Sequence, residues 1–209
     1  MNRRQTLTLM GSTLLMSSGV TTVAALAQES DAVDTSAVVE MAMGDENAPV
    51  TMVEYASFTC PHCASFHQNQ FKDLKAEFID TGKVRFIYRD VYFDKFGLWA
   101  SMVARCGGSE RFFGITDMIY DEQRDWIGDG TDAGVAERLR KIGKVAGLTQ
   151  DELDACLSDR DHAQALVASY QENSEADDVS STPTLIINGR KYQNMAYPEL
   201  KDIIEGKLN

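Results

Sequence analysis

Two cysteines enclose a Pro-His pair in the stretch Cys60-Pro61-His62-Cys63, between a strand-like run and a helix-like run. The run before them, Val50–Ala56, is largely apolar and predicts a buried strand, and the run after them repeats apolar residues at helical spacing. A cysteine at such a junction lies at the first turn of the helix. Free backbone N–H groups and the positive end of the helix dipole stabilise a thiolate there. The sequence therefore predicts a nucleophilic thiol at Cys60.

The other residues of this motif suit thiol–disulfide exchange. Pro61 fits the first helical position, where its missing N–H costs nothing. Cys63 follows almost one turn later, so its sulfur can reach back and close a ring with Cys60. His62 adds a hydrogen-bond donor, and a positive charge when protonated, beside the thiolate. We interpret Cys60 and Cys63 as a redox-active disulfide.

Other uses of a CxxC motif fit this sequence less well. A zinc site usually takes a second pair of ligands at short spacing, but the remaining cysteines, Cys106 and Cys156, each stand alone. A haem c attachment needs His directly after the second cysteine, where this chain has Ala64. Two inert thiols are the third alternative, although these would lie more naturally on an apolar face. We expect no metal and no cofactor.

The N-terminus predicts an exported protein. Arg3 and Arg4 precede a mildly apolar stretch, and residues 25–27 form a small-residue cleavage signal. We expect a signal peptide over residues 1–27, cut after Ala27, and a soluble periplasmic protein in which disulfides persist. The paired arginines also resemble a twin-arginine signal, but the rest of that pattern is incomplete, so Sec-type export is favoured. A membrane anchor is the alternative, and polar residues interrupt the apolar stretch.

This chain of 209 residues has a net charge of −12, which limits the classes of molecule that it can bind. Nucleic-acid-binding proteins use basic faces, so the acidic balance argues against DNA or RNA as a partner. The same charge is also what a solvated surface carries, and it identifies no partner by itself.

The order of the predicted elements indicates an α/β fold. Residues 28–48 form an N-terminal extension with a short edge strand over 38–43. A helix follows the cysteine motif and stops at Gly82, and residues 83–89 form the next strand, so the β-α-β order implies two parallel strands. The motif then lies at the carboxyl end of the first strand, where open α/β sheets place their sites.

The second half of the chain is mainly helical. No strand is predicted from residue 94 to 178, a segment too long to be a loop. Helices are predicted over 98–106, 111–121, 133–145, from 152 onward, and from 158 through 170. Strand signals return at Thr184–Ile187, where Asn188-Gly189 predicts a tight hairpin, and a helix over 198–208 ends the chain.

Together these features resemble the thioredoxin superfamily, and within it the DsbA-type thiol:disulfide oxidoreductases. The resemblance rests on residues 58–63 around the cysteine motif, on the helical insertion after residues 88–90, and on Thr182-Pro183 before the hairpin. It covers essentially the whole mature chain. It implies a thioredoxin fold with an inserted helical subdomain: a thioredoxin domain over 49–93 and 179–209, interrupted by the insertion over 94–178.

The resemblance also implies roles for single residues at the motif. Cys60 would be the exposed nucleophile and Cys63 the resolving thiol, with Pro61 and His62 tuning the redox poise. Pro183 would be a cis-proline lying against the motif, and Thr182 its substrate-contacting neighbour.

Two further roles lie away from the motif. Glu54 would be a buried acid able to take the proton of Cys63, and a salt-bridged strand residue is the equal alternative. Its basic partner is not obvious from the sequence, because Tyr88 occupies the expected strand position. Cys106 and Cys156 would form a structural disulfide within the insertion.

As a whole, the resemblance implies a monomeric enzyme that introduces disulfide bonds into unfolded or reduced exported proteins and is reoxidised by a DsbB-like membrane quinone reductase. Thr182 departs from the Val of the best-studied pattern, so a disulfide isomerase or reductase remains an alternative. An isomerase of the DsbC kind carries an N-terminal dimerisation domain, for which residues 28–48 are too short. A non-enzymatic peptide-binding chaperone using the groove at Pro183 is the other alternative.

Overall fold

The computed structural model describes residues 33–208, so the expected signal peptide and its cleavage site lie outside the described residues. Within that range the strands form a five-stranded sheet in the order β1-β3-β2-β4-β5. The parallel pair is β2 with β3, as the β-α-β order predicted, and the other neighbours are antiparallel. The strands are β1 (Met41–Met43), β2 (Val50–Ala56), β3 (Val84–Asp90), β4 (Thr184–Ile187) and β5 (Arg190–Gln193).

Helices cover the sheet and fill the long connection between β3 and β4. They are α1 (Pro61–Phe66), α2 (Lys72–Leu74), α3 (Lys95–Cys106), α4 (Gly108–Asp121), α5 (Gln123–Ile127), α6 (Asp132–Val145), α7 (Gln150–Ser158), α8 (Arg160–Ala176) and α9 (Tyr197–Leu208). None of these helices, over residues 33–208, is long and apolar enough to cross a membrane. The chain thus folds as a thioredoxin-type sheet with a helical insertion.

The helix that follows the cysteine motif contains two π-helical segments, which the periodicity did not predict. They span His67–Phe71 and Lys75–Ile79 and flank the short α2. Phe66 and Phe71 are five residues apart, and both are buried. The backbone hydrogen bonds of a π turn join residues five apart, and here both side chains lie on the core side of the helix. The stretch ends at Gly82, whose φ of +73° lies in the left-handed region.

Helices α3 and α4 each begin three residues before their predicted starts, and α5 and α8 differ more from the sequence prediction. Helix α5 was not predicted, because five residues are too few to show a helical period. Helix α8 extends to Ala176 instead of Tyr170, since its last turns carry mostly polar residues that no apolar repeat marks. Three helices of the insertion have side chains that suit the N-cap position: Asp94 precedes α3, Thr131 precedes α6 and Asp159 precedes α8. Each of these side chains accepts a hydrogen bond from at least one backbone N–H of its helix.

Strand β2 is buried on both faces, as is usual for a central strand. Because successive side chains alternate between faces, Met52 packs into the large core cluster while Val53 and Tyr55 pack into a second, smaller cluster on the other face. The large cluster includes Cys60 and Cys63. The motif therefore lies at the end of a central, buried strand of the sheet.

Candidate active site

The chain turns from β2 into α1 at the cysteine motif. Cys60 is the N-cap residue of α1, with extended dihedrals, and Pro61 follows at the first helical position. The backbone N–H of Cys60 donates to the carbonyl of Ser57, and the carbonyl of Cys60 accepts the N–H of Ala64 at 3.1 Å. This geometry aims the first free N–H groups of the helix at the sulfur of Cys60, as the sequence predicted.

The thiol of Cys60 is more enclosed than the sequence led us to expect. The residue is 7% exposed, so the expectation of an exposed nucleophile is corrected. Its Sγ lies 3.6 Å from the carbonyl oxygen of Thr182, in the segment that precedes β4. That segment therefore contacts the motif at Cys60.

The segment over the motif contains a cis peptide bond between Thr182 and Pro183. Pro183 is buried and Thr182 is half-buried. Directly after them, the hydroxyl of Thr184 donates to the carbonyl of Ser181 at 2.7 Å, which fixes the entry into β4. The structure thus brings Thr182 and Pro183 against Cys60, from the opposite end of the sequence.

The two thiols of the motif have opposite proton affinities. Hydrogen bonds from Cys63, the Thr182 side chain and the N–H groups of Cys63 and His62 lower the pKa of Cys60 to about 5, against the cost of its burial. Burial, the hydrogen bond to Cys60 and the charge of Glu54 raise the pKa of Cys63 far above its ordinary value. Both residues are thiols in this structure. Near neutral pH the pair therefore carries a thiolate at Cys60 and a protonated Cys63.

Pro61 and His62 lie at the surface beside the thiolate. Pro61 lines a cleft of about 440 Å³ with residues of α4 and α5, among them Asp121, Gln123 and Arg124. His62 contributes its backbone N–H to Cys60, and its side chain is exposed. Both residues are therefore accessible from solvent.

Glu54 lies beneath the motif and is fully buried. In the sheet it faces Tyr88, as the sequence implied, but its partner is a histidine. Oε2 of Glu54 lies 2.9 Å from Nε2 of His67, which is 2% exposed. Sequence reasoning missed His67. A signal was available, because His67 follows Cys63 by four residues on the same helix and so lies on the same side.

Aromatic rings enclose this buried pair. The imidazole of His67 stacks on Tyr120 with 4.3 Å between ring centroids and approaches Phe71 at 4.7 Å. The hydroxyl groups of Tyr88 and Tyr120 bond to each other at 2.7 Å. Burial raises the pKa of both tyrosines well above 10, with added repulsion from Glu54 and Cys63. The region below Cys63 is therefore apolar at its walls and holds few polar atoms.

The helical insertion holds the loop before the motif at two points. The side chain of Gln123, on α5, donates to the carbonyls of Phe58 and Cys60 at 2.8 and 2.9 Å. The hydroxyl of Thr59 donates to Asp94, the N-cap of α3. Gln123 was not predicted, since it lies on the short helix that the sequence did not reveal. The insertion thus helps to set the position of Cys60.

The remaining cysteines form a disulfide. Cys106 at the end of α3 and Cys156 on α7 are bonded, with their Cα atoms 5.9 Å apart. The bond joins two helices of the insertion. Within residues 33–208 no group of three or more His, Cys, Asp or Glu side chains is arranged to hold a metal ion.

Comparisons with known proteins agree with this architecture. The family model described as Thioredoxin matches residues 36–206. A Rickettsia bellii protein named as a putative protein-disulfide oxidoreductase is 32% identical over 167 residues, which cover 79% of this chain and 63% of that protein. The chain thus spans less than two thirds of that relative's length.

Two solved structures show the same fold. Alpha-DsbA1 of Wolbachia pipientis superposes with a TM-score of 0.73 at 26% identity, covering 80% of this chain and 89% of that one. A protein-disulfide isomerase from Novosphingobium aromaticivorans gives a TM-score of 0.73 at 25% identity, covering 81% and 97%.

Proposed function

Because this chain belongs to the thioredoxin family and is a DsbA-like member of it, we propose that it is a protein thiol:disulfide oxidoreductase that introduces disulfide bonds into other proteins. The observation that carries the proposal is the contrast between the two thiols of the motif. The pKa of Cys60 is lowered to about 5 while that of Cys63 is raised. A stabilised Cys60 thiolate favours the reduced enzyme, so the disulfide form is a strong oxidant, as it is in DsbA.

The proposed cycle starts from the Cys60–Cys63 disulfide. A substrate thiolate attacks the sulfur of Cys60, a mixed disulfide forms, and Cys63 leaves as a thiolate that takes up a proton. A second substrate thiolate then attacks the substrate sulfur and releases Cys60 as a thiolate. The substrate loses two electrons and gains a disulfide, and the enzyme disulfide becomes two reduced sulfurs.

Substrate binding would use the segment beside the thiolate. Thr182 carries the carbonyl nearest the sulfur of Cys60, and an extended substrate strand can pair with such backbone groups. Pro183 shapes that segment, and the exposed Pro61 and His62 would contact the substrate from the helix side. Glu54 is proposed to exchange the proton of Cys63.

The setting of the reaction is also proposed. We infer a periplasmic protein from the N-terminal export signal, with unfolded or reduced exported proteins as its substrates. A DsbB-like membrane quinone reductase would reoxidise it. We divide the chain into a thioredoxin domain over 49–93 and 179–209 and a helical insertion over 94–178, since helices α3 to α8 all lie between β3 and β4.

A second candidate is disulfide isomerisation. Two observations favour it: Thr182 precedes the cis-proline, and one similar structure is named as a protein-disulfide isomerase. The two activities share the motif and differ in the substrate that they process best.

Oxidative refolding of a reduced, unfolded disulfide protein tests the proposal. The oxidised wild type should speed the recovery of the native substrate, and Cys60→Ser should abolish the effect. Cys63→Ser cannot form the motif disulfide and should also abolish the effect. Mixed in its reduced form with a disulfide-bonded substrate instead, this variant should accumulate a mixed disulfide at Cys60, because no Cys63 thiol is present to displace the substrate. The double variant Cys106→Ser/Cys156→Ser, assayed at low temperature, should keep the activity and serves as the matched control.

The same assay separates the alternatives. If the protein acted only as a chaperone, the Cys60→Ser variant would improve recovery of the substrate as well as the wild type does. That result would contradict the oxidase proposal. An isomerase would act faster on a scrambled, fully oxidised substrate than on a reduced one.

A further inference from the structure

We propose that His67 is a positioning residue: it holds Glu54 by one carboxylate oxygen and leaves the other oxygen free to exchange a proton with Cys63. The inference rests on the proposed function, because it concerns the step in which Cys63 gains or loses its proton. It assigns a task to a buried histidine that the cycle described above does not use.

The contact between the His67 and Glu54 side chains is short and buried. Nε2 of His67 and Oε2 of Glu54 are 2.9 Å apart, and both side chains are almost fully buried. A buried carboxylate without a hydrogen-bond donor is costly, so the ring N–H of His67 stabilises the carboxylate of Glu54 in this position.

The unpaired ring nitrogen indicates how the histidine is protonated. Nδ1 of His67 has no hydrogen-bond partner among residues 33–208, and aromatic rings surround it. A proton on Nδ1 would be a buried donor without an acceptor, whereas a bare Nδ1 costs little. The ring is therefore neutral, with its proton on Nε2, and it donates to Glu54.

The second carboxylate oxygen is the free one. Oε1 of Glu54 has no partner in the described part of the chain and is buried. The negative charge of Glu54 acts on the thiol of Cys63 and raises its pKa. Oε1 of Glu54 can therefore accept the proton of the Cys63 thiol, while the hydrogen bond at Oε2 keeps the carboxylate in place.

The other titratable groups around the ring do not compete for this role. Tyr88 on β3 and Tyr120 on α4 bond to each other through their hydroxyls. Asp117 on α4 makes no hydrogen bond to either ring nitrogen. Lys72 is largely exposed and is close to Asp121.

The proton transfer balances in both directions of the cycle. When a partner protein is bonded to Cys60, the proton of Cys63 moves to Oε1 of Glu54, and the sulfur of Cys63 attacks that of Cys60. The Cys60–Cys63 bond forms, and the partner leaves as a thiolate with the electron pair of the broken bond. When a substrate opens the disulfide instead, Glu54 returns the proton to the departing Cys63.

Ring closure measured by stopped flow tests the role of His67. Reduced protein is mixed with oxidised glutathione, and the formation of the Cys60–Cys63 disulfide from the glutathione adduct is followed from pH 5 to pH 9. Without the donor, Glu54 loses the hydrogen bond at Oε2 that holds its carboxylate in place. His67→Leu should then close the ring at least about tenfold more slowly at pH 7 and shift the rate profile to higher pH.

His67→Gln keeps a neutral N–H donor and should close the ring close to the wild-type rate. His162→Leu changes the histidine of α8 and serves as the control. The pKa of Cys60 should stay near 5 in all three variants, because the effect lies at Cys63. Equal rates and profiles for wild type and His67→Leu would overturn the inference, and so would a His67→Gln variant as slow as His67→Leu.

A wild type that forms no Cys60–Cys63 disulfide would instead refute the proposed function, so the two failures differ.

A measurement on the unmodified reduced protein covers the case in which His67→Leu does not fold. Nitrogen NMR of the His67 ring should find a proton on Nε2 and none on Nδ1. A ring with protons on both nitrogens would contradict the inference.

Discussion

The sulfur of Cys60 lies 3.6 Å from the carbonyl oxygen of Thr182, next to the cis peptide bond that joins Thr182 to Pro183. The two residues are far apart in the sequence and meet because β4 pairs with β2 in the centre of the sheet. The carbonyl favours the protonated thiol, while the surrounding donors favour the thiolate. The donors prevail, since the pKa of Cys60 falls to about 5.

The first prediction concerns the ionisation of Cys60. Thiolate absorbance of the reduced protein should rise with a midpoint near pH 5, and Cys60→Ser should remove that transition. A midpoint near that of an ordinary thiol, about 8.5, would contradict the electrostatic account of the site.

The second prediction follows by linkage. A lowered pKa in the folded state stabilises the reduced protein above the pKa of the unfolded thiol, and this gain is lost as the pH falls through about 5. The oxidised protein has no Cys60 proton to exchange. Cys63 has the opposite effect, because its raised pKa makes the reduced form lose stability once the pH exceeds that of an unfolded thiol, about 8.5. Thermal unfolding should therefore show the reduced form ahead of the oxidised form most clearly near pH 8, with the difference shrinking as the pH approaches 5. A difference that does not change between these pH values would be inconsistent with the ionised Cys60.

The third prediction concerns Gln123, which donates to the carbonyls of Phe58 and Cys60. Gln123→Leu removes the donor and should lower the free energy of unfolding by about 1–3 kcal/mol. Gln171→Leu, on the exposed side of α8, should change it by less than about 0.5 kcal/mol. Urea unfolding of both variants makes the comparison, and equal midpoints would show that the two hydrogen bonds contribute nothing.

The fourth prediction concerns the bond between Cys106 and Cys156, which closes a loop with a sequence separation of 50. Replacing both residues by Ser releases the unfolded chain and should cost about 2–4 kcal/mol of stability. Urea unfolding of the oxidised double variant against the oxidised wild type measures this cost. Unchanged stability would mean that the bond does not constrain the unfolded state.

Much of the fold could be predicted from the sequence. The cysteine motif, the parallel strands around its helix and the Asn188-Gly189 hairpin each carry a local signal, and the structure has the expected strands and thioredoxin-type fold. The sequence has no local signal for the π-helical segments or for α5, because a recognisable helical period needs several regular turns. They matter for the site, since one π segment contains His67 and α5 contains Gln123.

The electrostatics of the site could be predicted only in part. The position of Cys60 before a helix already implied a stabilised thiolate. The enclosure of Cys60 by Thr182 depends on a tertiary contact between distant segments. The pairing of Glu54 with His67 depends on the π turn that contains the histidine. Strand position alone places Tyr88 beside Glu54, whereas the partner of Glu54 lies on the helix that follows the motif.

The measurement that tests the central claim most directly is the equilibrium of the Cys60–Cys63 disulfide with a glutathione buffer. If the Cys60 thiolate is stabilised as described, the disulfide should be strongly oxidising, with a reduction potential closer to about −120 mV, as for DsbA, than to about −270 mV, as for thioredoxin. A potential near or below that of thioredoxin would contradict the account and would indicate a reductase.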